Sequence, residues 1–465
     1  MFNSKTMSSS KAKLNSKTLS AAMLLLCTQF VSAAVTTEQA HKLGHQLTPL
    51  GAEKSGNKDG SIPEWSGGLS VAPTGFLDGQ HMIDPYAGDK VLYQIDALNY
   101  QKYKEQLTVG QITMLQKYSD TYKINVYPTR RSVFVPEAIQ AKVKTNATQA
   151  ELVDGGNGVK GYDSYYPFPI PSSGQEVVWN HLMRYRGGSI DREHSQVITQ
   201  SNGDFHEVRL KEVAIYPENM DGHNDSKDAG NIMVYFRQMV TSPARLSGTV
   251  LLVHDTVNQV KKPRSAWIYN AGQRRVRRAP QAAYDGPATA SDGLRTADNF
   301  DMFTGALDRY DWVLEGKQEL YIPYNSYRLT NESAGYDDLI SKGHLNPDFI
   351  RYEKHRVWKV VAKLKKGESH IYAKREFYID EDSWQIAYID QFDSRGELWR
   401  VSEGHLVQYY YANTPWLAAE AVYDMPSQRY LVLGLHGSSD EPVRFGTKAK
   451  KSDFVPTALR RLGIR

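Results

Sequence analysis

The sequence predicts a mainly β protein of the α+β class, with an antiparallel sheet in the C-terminal part and an N-terminal wrap of short helices and long loops. Three observations carry this. From about Gln196 onward apolar residues recur at every second position, the period of a half-buried strand. Asn202-Gly203 sits between two such runs and is the strongest short hairpin signal. Hydrophobic residues make up 40% of the chain and aromatics 11%, with 29 tyrosines, which fits a folded β-rich protein and excludes a disordered one.

The elements follow in order. Lys5, Lys11, Lys13 and Lys17 precede an apolar run from Leu19 to Val31, and Val31-Ser32-Ala33 ends in a small-x-small pattern. This is the plan of a secretory signal, with cleavage expected after Ala33. The run is well short of the roughly 20 residues a spanning helix needs, so the mature protein is expected not to span the membrane. Cys27 is the only cysteine and lies within this leader; Leu26 before it argues against lipid attachment. The mature chain then has neither thiol nor disulfide, and its stability must come from its core. The four leader lysines equal the whole excess of 56 Lys+Arg over 52 Asp+Glu. A neutral mature chain has no general basic footprint for nucleic acid.

Residues 34–188 read as the helical and loop-rich wrap. Thr36 and Thr37 can cap a helix running to Leu47, Thr108-Val-Gly-Gln111 is a capping box opening a helix toward Tyr118, and Pro136 to Val143 reads as a short helix. Gly51 to Pro85 and Asp154 to Gly174 read as long loops. Residues 189–465 read as the β domain, expected to form one continuous globular unit with 34–188. Its strands are expected at Gln196 to Gln200, Phe205 to Ile215, Ile232 to Thr241, Leu246 to Asp255, Ala266 to Asn270 and Arg274 to Arg278. A meander follows: Val357 to Leu364, His370 to Ile379, Gln385 to Phe392 and Leu398 to Val407. In its first strand Trp358, Val360, Ala362 and Leu364 share one face, and Lys359 and Lys363 the other. Tyr372 and Tyr378 on the second strand argue that both faces of the sheet are occupied.

Signatures of catalysis are sparse. Gly68-Leu-Ser70-Val-Ala72 fails the nucleophile-elbow pattern at its last position, and no His-Glu-x-x-His or P-loop is present. Gly156-Asn-Gly158-Val-Lys-Gly161 matches the dinucleotide pattern without its strand and helix, so it reads as a loop. Ser55-Gly-Asn57-Lys-Asp59-Gly60 imitates the first half of a calcium loop but lacks the closing glutamate; an Asp-Gly turn explains the same residues, and calcium at Asn57 and Asp59 stays open. His41 and His45 lack a third ligand nearby and read as solvated. No catalytic residue, cofactor or metal set is expected, and the protein is read as a non-enzyme.

The densest basic run is Arg274-Arg-Val-Arg-Arg278, following Trp267 and Tyr269 on the strand before it. Its arginines suit bidentate contact with carboxylate or phosphate, while the favoured structural reading pairs them with Asp292, Asp298, Asp301 and Asp308.

At these residues the chain resembles known proteins. Trp267-Ile-Tyr269 and Arg274 to Pro280, followed by Asp298-Asn-Phe-Asp-Met-Phe, are similar to the outer-membrane lipoprotein-sorting proteins. Asn57 to Gly68, Pro167 to Pro171, Trp179 to Gly187, Tyr216 to Asn219, Pro323 to Ser326, Leu345 to Asp348 and Tyr378 to Trp384 resemble the exported bacterial family called domain of unknown function 1329. The resemblance implies a curved antiparallel sheet forming an incomplete barrel like that of LolA and LolB, its concave side covered by helices and loops. It implies a periplasmic carrier or chaperone for a lipid, lipoprotein acyl chain or other hydrophobe in a Gram-negative envelope. It also implies partners: an inner-membrane exporter of the resistance-nodulation-division type and an outer-membrane protein. The alternative is an envelope scaffold or sensor that holds a protein partner on the same sheet. Candidate ligand-binding residues are Trp267, Tyr269, Arg275, Arg277, Trp358, Val360, Leu364 and Phe377.

Overall fold

A computed structural model describes residues 35–224, 229–330, 334–436 and 441–463. The expected leader, with Cys27, lies outside the described residues.

Sixteen strands join in one large sheet. They are β1 (Tyr93–Ile95), β2 (Ile124–Val126), β3 (Ser189–Thr199), β4 (Phe205–Ile215), β5 (Ile232–Ser242), β6 (Val250–Thr256), β7 (Ser265–Asn270) and β8 (Arg275–Arg278). The rest are β9 (Tyr310–Pro323), β10 (Tyr352–Leu364), β11 (Lys374–Asp380), β12 (Ile386–Phe392), β13 (Leu398–Tyr409), β14 (Thr414–Asp424), β15 (Arg429–Leu435) and β16 (Arg444–Phe445). Across the sheet the main path runs β9, β10, β11, β12, β13, β14, β15, β3, β4, β5, β6, β7, β8. Every neighbour on that path is antiparallel, and the only break in sequence order is where β15 meets β3, pairing Leu431 with Ile198. Among the described residues the sheet is not closed: this run ends at β8 and β9, and β1 and β2 join it at β10, where Val126 pairs Tyr352.

The Asn202-Gly203 turn does what its residues dictate. Gly203 takes φ +103°, and the hairpin zips from Thr199 opposite Phe205 to Ser189 opposite Ile215. Six of these strands have no counterpart in the periodicity reading: the two- and three-residue strands β1, β2 and β16, and three longer ones. In β9 a bulge between Leu314 and Gly316 interrupts the alternation. β14, with Ala418, Ala419, Glu420 and Ala421, is built from good helix formers and is buried at every position, so neither propensity nor alternation marks it. β15 is buried at all but its first residue. Tyr372 and Tyr378 are both buried, as expected for a sheet covered on both faces.

The helices pack on this scaffold. The Thr108 capping box opens α2 (Val109–Lys117), with Thr108 accepting from the Gln111 amide. α3 runs Glu137–Gln149, past the expected Val143, because nothing in Lys144-Thr-Asn-Ala-Thr breaks it. The first helix is shorter than expected: α1 is only Thr37–Ala40, since Gly44 adopts φ +82° and turns the chain back to pair Leu47 with Glu53. α4 (Gly174–Leu182), capped by Ser173, begins where the expected Asp154 to Gly174 loop ends. It packs against β9 and β10, with Gly174 against Val360 and Trp312. Residues of the wrap and of the sheet share one large hydrophobic core.

Candidate functional site

Residues 279–309 connect β8 to β9 and must therefore travel from one edge of the sheet to the other. They do so as a strap across one face. Gln196 on β3 donates to the Ala290 carbonyl at 2.6 Å, the Asp301 and Met302 amides donate to Glu420 on β14, Gln391 on β12 donates to Asn299, and Arg375 on β11 donates to Asp298 at 2.9 Å. Leu294 of the strap packs on Ile198, Val208, Leu210, Leu431 and Leu433.

Over β9 to β12 the space between strap and sheet is filled. Phe303 of the strap meets Phe377 and Trp312 at ring distances of 5.5 and 5.6 Å, and α4 covers Val360. Over β4 to β8 it is not, and a cavity of about 490 Å³ remains. Its wall follows the register of the ladder. Glu212 on β4 stands opposite Gln238 on β5, Gln238 opposite Leu251 on β6, Leu251 opposite Ile268 on β7, and Ile268 opposite Arg277 on β8. This row passes from acid through apolar residues to a basic rim. Phe236, Val253 and Met233 extend the apolar wall, and Ala288, Ala297 and Phe300 of the strap close it from above.

The inner end of the cavity is charged. Glu212 accepts from Arg192 at 2.9 Å and from Gln238, and His194 lies 2.9 Å away. Burial raises the Glu212 carboxyl, but His194 and Arg192 outweigh it and hold the group well below the usual carboxylate range. Asp301 is gripped by Arg184 at 2.5 Å and Arg186 at 2.7 Å, and against the cost of burial these cations keep it ionised. Asp255 pairs bidentately with Arg264. Glu420, buried beside the Asp301 charge, is pushed up to about 7, by burial first and by Asp301 second.

Of the residues expected from sequence, Arg277 stands on the cavity wall. Trp267 and Tyr269 face the other way: alternation sends Ile268 into the cavity and its neighbours onto Phe454 and Leu459 of the C-terminal segment. Arg275, opposite Asn270, is exposed beyond the wall. Trp358, Val360, Leu364 and Phe377 belong to the main core on the strapped half of the sheet, where α4 and Phe303 occupy the space a ligand would need. The expected pairing of the basic strand does not form. Asp292 binds Arg429, Asp298 binds Arg375, Asp301 binds Arg184 and Arg186, and Asp308 accepts from Tyr284. The strap carries Asp298 and Asp301 inward to buried arginines, and among the described residues Arg275 and Arg277 make no ion pair. The cavity residues that sequence reasoning missed, Phe236, Leu251, Ile268 and Arg295, carry one available signal: Ile268 has the alternation parity opposite to its bulkier neighbours Trp267 and Tyr269.

A family model described as "Protein of unknown function (DUF1329)" matches residues 94–460. The chain belongs to this family. A curated relative, the uncharacterized protein PA3922 of Pseudomonas aeruginosa, is 55% identical over 440 residues, covering 94% of this chain and 95% of its own. Among solved structures, the chain is similar to a DUF1329 family protein from Desulfovibrio piger (14% identity, TM-score 0.41, covering 59% of this chain and 92% of that one). It is also similar to a putative outer membrane lipoprotein-sorting protein domain from Vibrio parahaemolyticus (13%, TM-score 0.41, 60% and 94%). A third is the LolA superfamily protein NE2245 from Nitrosomonas europaea (11%, TM-score 0.38, 61% and 98%).

Other clusters in this DUF1329 protein are engaged internally. His355, Asp380 and Asp382 bring ligand atoms within 4.8 Å of one another, a spacing a metal could use. However, Asp382 is held bidentately by Arg131 at 2.9 and 2.7 Å, Asp380 accepts from the Ser383 hydroxyl at 2.6 Å, and His355 stacks on Tyr324 at 3.8 Å. Arg131 also reaches the Glu53 and Lys54 carbonyls, so the cluster ties the N-terminal wrap to the sheet. Asp59 accepts from Ser61 and from Lys354 at 3.0 Å, which accounts for the loop as a turn anchored to β10. Gly156 to Gly161 falls in a small hairpin, Glu151–Val153 with Gly158–Lys160, and the next helix, α4, starts only at Gly174. His41 and His45 are exposed and no longer share a helix. No helix among the described residues is long and apolar enough to cross a membrane.

Proposed function

We propose that this DUF1329 protein is an exported carrier or chaperone of the bacterial envelope that holds a hydrophobic molecule in the cavity between the strap and β4 to β8. The observation that carries the reading is the cavity itself. Its volume of about 490 Å³ lies within the roughly 300–1,000 Å³ of small-molecule sites, and an apolar wall with a few convergent polar groups is their usual lining. A lipid, a lipoprotein acyl chain or another single-chain hydrophobe fits this chemistry. The strap, fastened to the sheet by hydrogen bonds rather than by strand pairing, is the element whose release would open the site. Export through the leader puts the carrier in the periplasm, with an inner-membrane exporter of the resistance-nodulation-division type and an outer-membrane protein as the partners the family resemblance implies.

The test is uptake of N-phenyl-1-naphthylamine, a neutral dye that brightens in apolar sites. The mature protein is expected to bind it. Ile268→Trp, which puts an indole into the middle of the apolar row, is expected to abolish the signal while the melting temperature holds. If the unmodified protein takes up no dye, the scaffold or sensor reading replaces the carrier. Sequencing of the N-terminus of the exported protein checks the leader, and a mature chain that begins at Met1 or Cys27 contradicts it.

A further inference from the structure

Among the described residues, the buried charged groups lining the cavity divide into those with partners and one without. Glu212, Asp301 and Asp255 are each held by arginine at distances of 2.5 to 3.1 Å. Arg295, on the strap, is only 3% exposed and lines the same cavity. Among the described residues its guanidinium makes no ion pair, and its Nε and Nη1 have no hydrogen-bond acceptor. Its one close companion is the Phe300 ring, 5.4 Å from the guanidinium carbon. Glu212 and Glu420 lie near enough to attract it, but Glu212 is bound by Arg192 and Glu420 accepts the Asp301 and Met302 amides. Around this inner end stand the guanidiniums of Arg184, Arg186, Arg192 and Arg295 against the carboxylates of Asp301, Glu212 and Glu420. The site therefore carries cationic charge in excess, and a buried cation with unmade hydrogen bonds is costly to keep.

We propose that the cavity selects a carboxylate-headed single-chain hydrophobe, with the carboxylate on Arg295 and the chain along Phe236, Leu251, Val253 and Ile268. This rests on the carrier reading and adds the head group. A carboxylate supplies two acceptors in a plane, the geometry a guanidinium fork binds best. Arg277, unpaired at the outer rim, adds attraction for an approaching anion.

The experiment compares dodecanoate with its methyl ester, below their aggregation limits at pH 8, by calorimetry on the mature protein. The two share one chain and differ at the head group, an anionic carboxylate in one and a neutral methyl ester in the other. The unmodified protein is expected to bind the acid at least tenfold more tightly than the ester. Arg295→Met is expected to bring the ratio below threefold, with ester affinity retained and melting temperature not lowered, because it removes an unpaired buried charge. Arg295→Lys is expected to keep part of the preference. Equal binding of acid and ester by the unmodified protein overturns the head-group assignment and leaves the carrier reading standing, as does a tenfold preference that survives in Arg295→Met. Failure of both ligands, together with failure of the neutral dye, overturns both. Should Arg295→Met not fold, the ratio measured on the unmodified protein and on Arg295→Lys decides alone.

Discussion

Replacing Phe377 by alanine and, separately, Leu251 by alanine asks whether the two halves of the strapped face differ as the structure shows. Phe377 is fully buried, with Phe303 at 5.5 Å, Trp312 at 5.4 Å and the Arg375 guanidinium over its ring. Every side of the ring meets protein, so its removal costs the transfer free energy plus a cavity, about 3–5 kcal/mol. With about 420 described residues, an unfolding entropy of about 2.1 cal/mol/K per residue amounts to about 0.9 kcal/mol/K, so the melting temperature should fall by about 3–6 °C. Leu251 is partly exposed and one side of it already faces open space. Truncation there forfeits fewer contacts, and a loss below about 2 kcal/mol, or about 2 °C, is expected together with weaker dye binding. Differential scanning calorimetry and dye titration read the two quantities independently. Equal melting losses for both variants, with dye binding unchanged in Leu251→Ala, would refute the placement of the cavity over β4 to β8.

Two further predictions concern buried charge. Asp301→Asn leaves Arg184 and Arg186 without their common carboxylate at 2.5 and 2.7 Å; removing one partner of a buried pair costs about 3–5 kcal/mol, which chemical denaturation should register, and a loss under about 1 kcal/mol contradicts the network. Asp390 is fully buried, accepts from the Gly110 amide at 3.1 Å and has no cation at contact distance; burial first, and the Glu376 charge after it, push its carboxyl up to about 7. Since the folded pKa lies above the unfolded value near 3.9, the folded state binds the extra proton between about pH 4 and 7, and the stability this gives is lost as pH rises through 7. Asp390→Asn should therefore match the unmodified protein below about pH 4 and exceed it in melting temperature at pH 8; a difference that does not grow with pH removes Asp390 as its source.

What could be read from the sequence, and what could not, divides along the line between local and distant causes. The Asn202-Gly203 hairpin, the Thr108 capping box and the meander from β10 to β13 are local, fixed by a turn or cap and by alternation within a few residues. The sheet's class followed from them. The position of the cavity did not, because it is decided by the strap, a stretch without periodicity whose anchors lie 94 residues away at Gln196 and 77 residues away at Arg375. The same cause explains the aromatic residues. Trp358 and Phe377 do lie on the strapped face, as their alternation required, but a face is a core or a pocket according to what is laid on it, and Phe303 and α4 fill that half. Trp267 and Tyr269 illustrate the complementary failure. Bulk drew attention to them, whereas parity put the smaller Ile268 on the cavity side. Arg295 shows the furthest limit: within Gly293-Leu-Arg-Thr it reads as an ordinary solvated loop arginine, and only the docking of the strap takes it out of water. Its unmatched charge is a property of the assembled site, which is why a ligand's head group becomes a question only once the fold is in place.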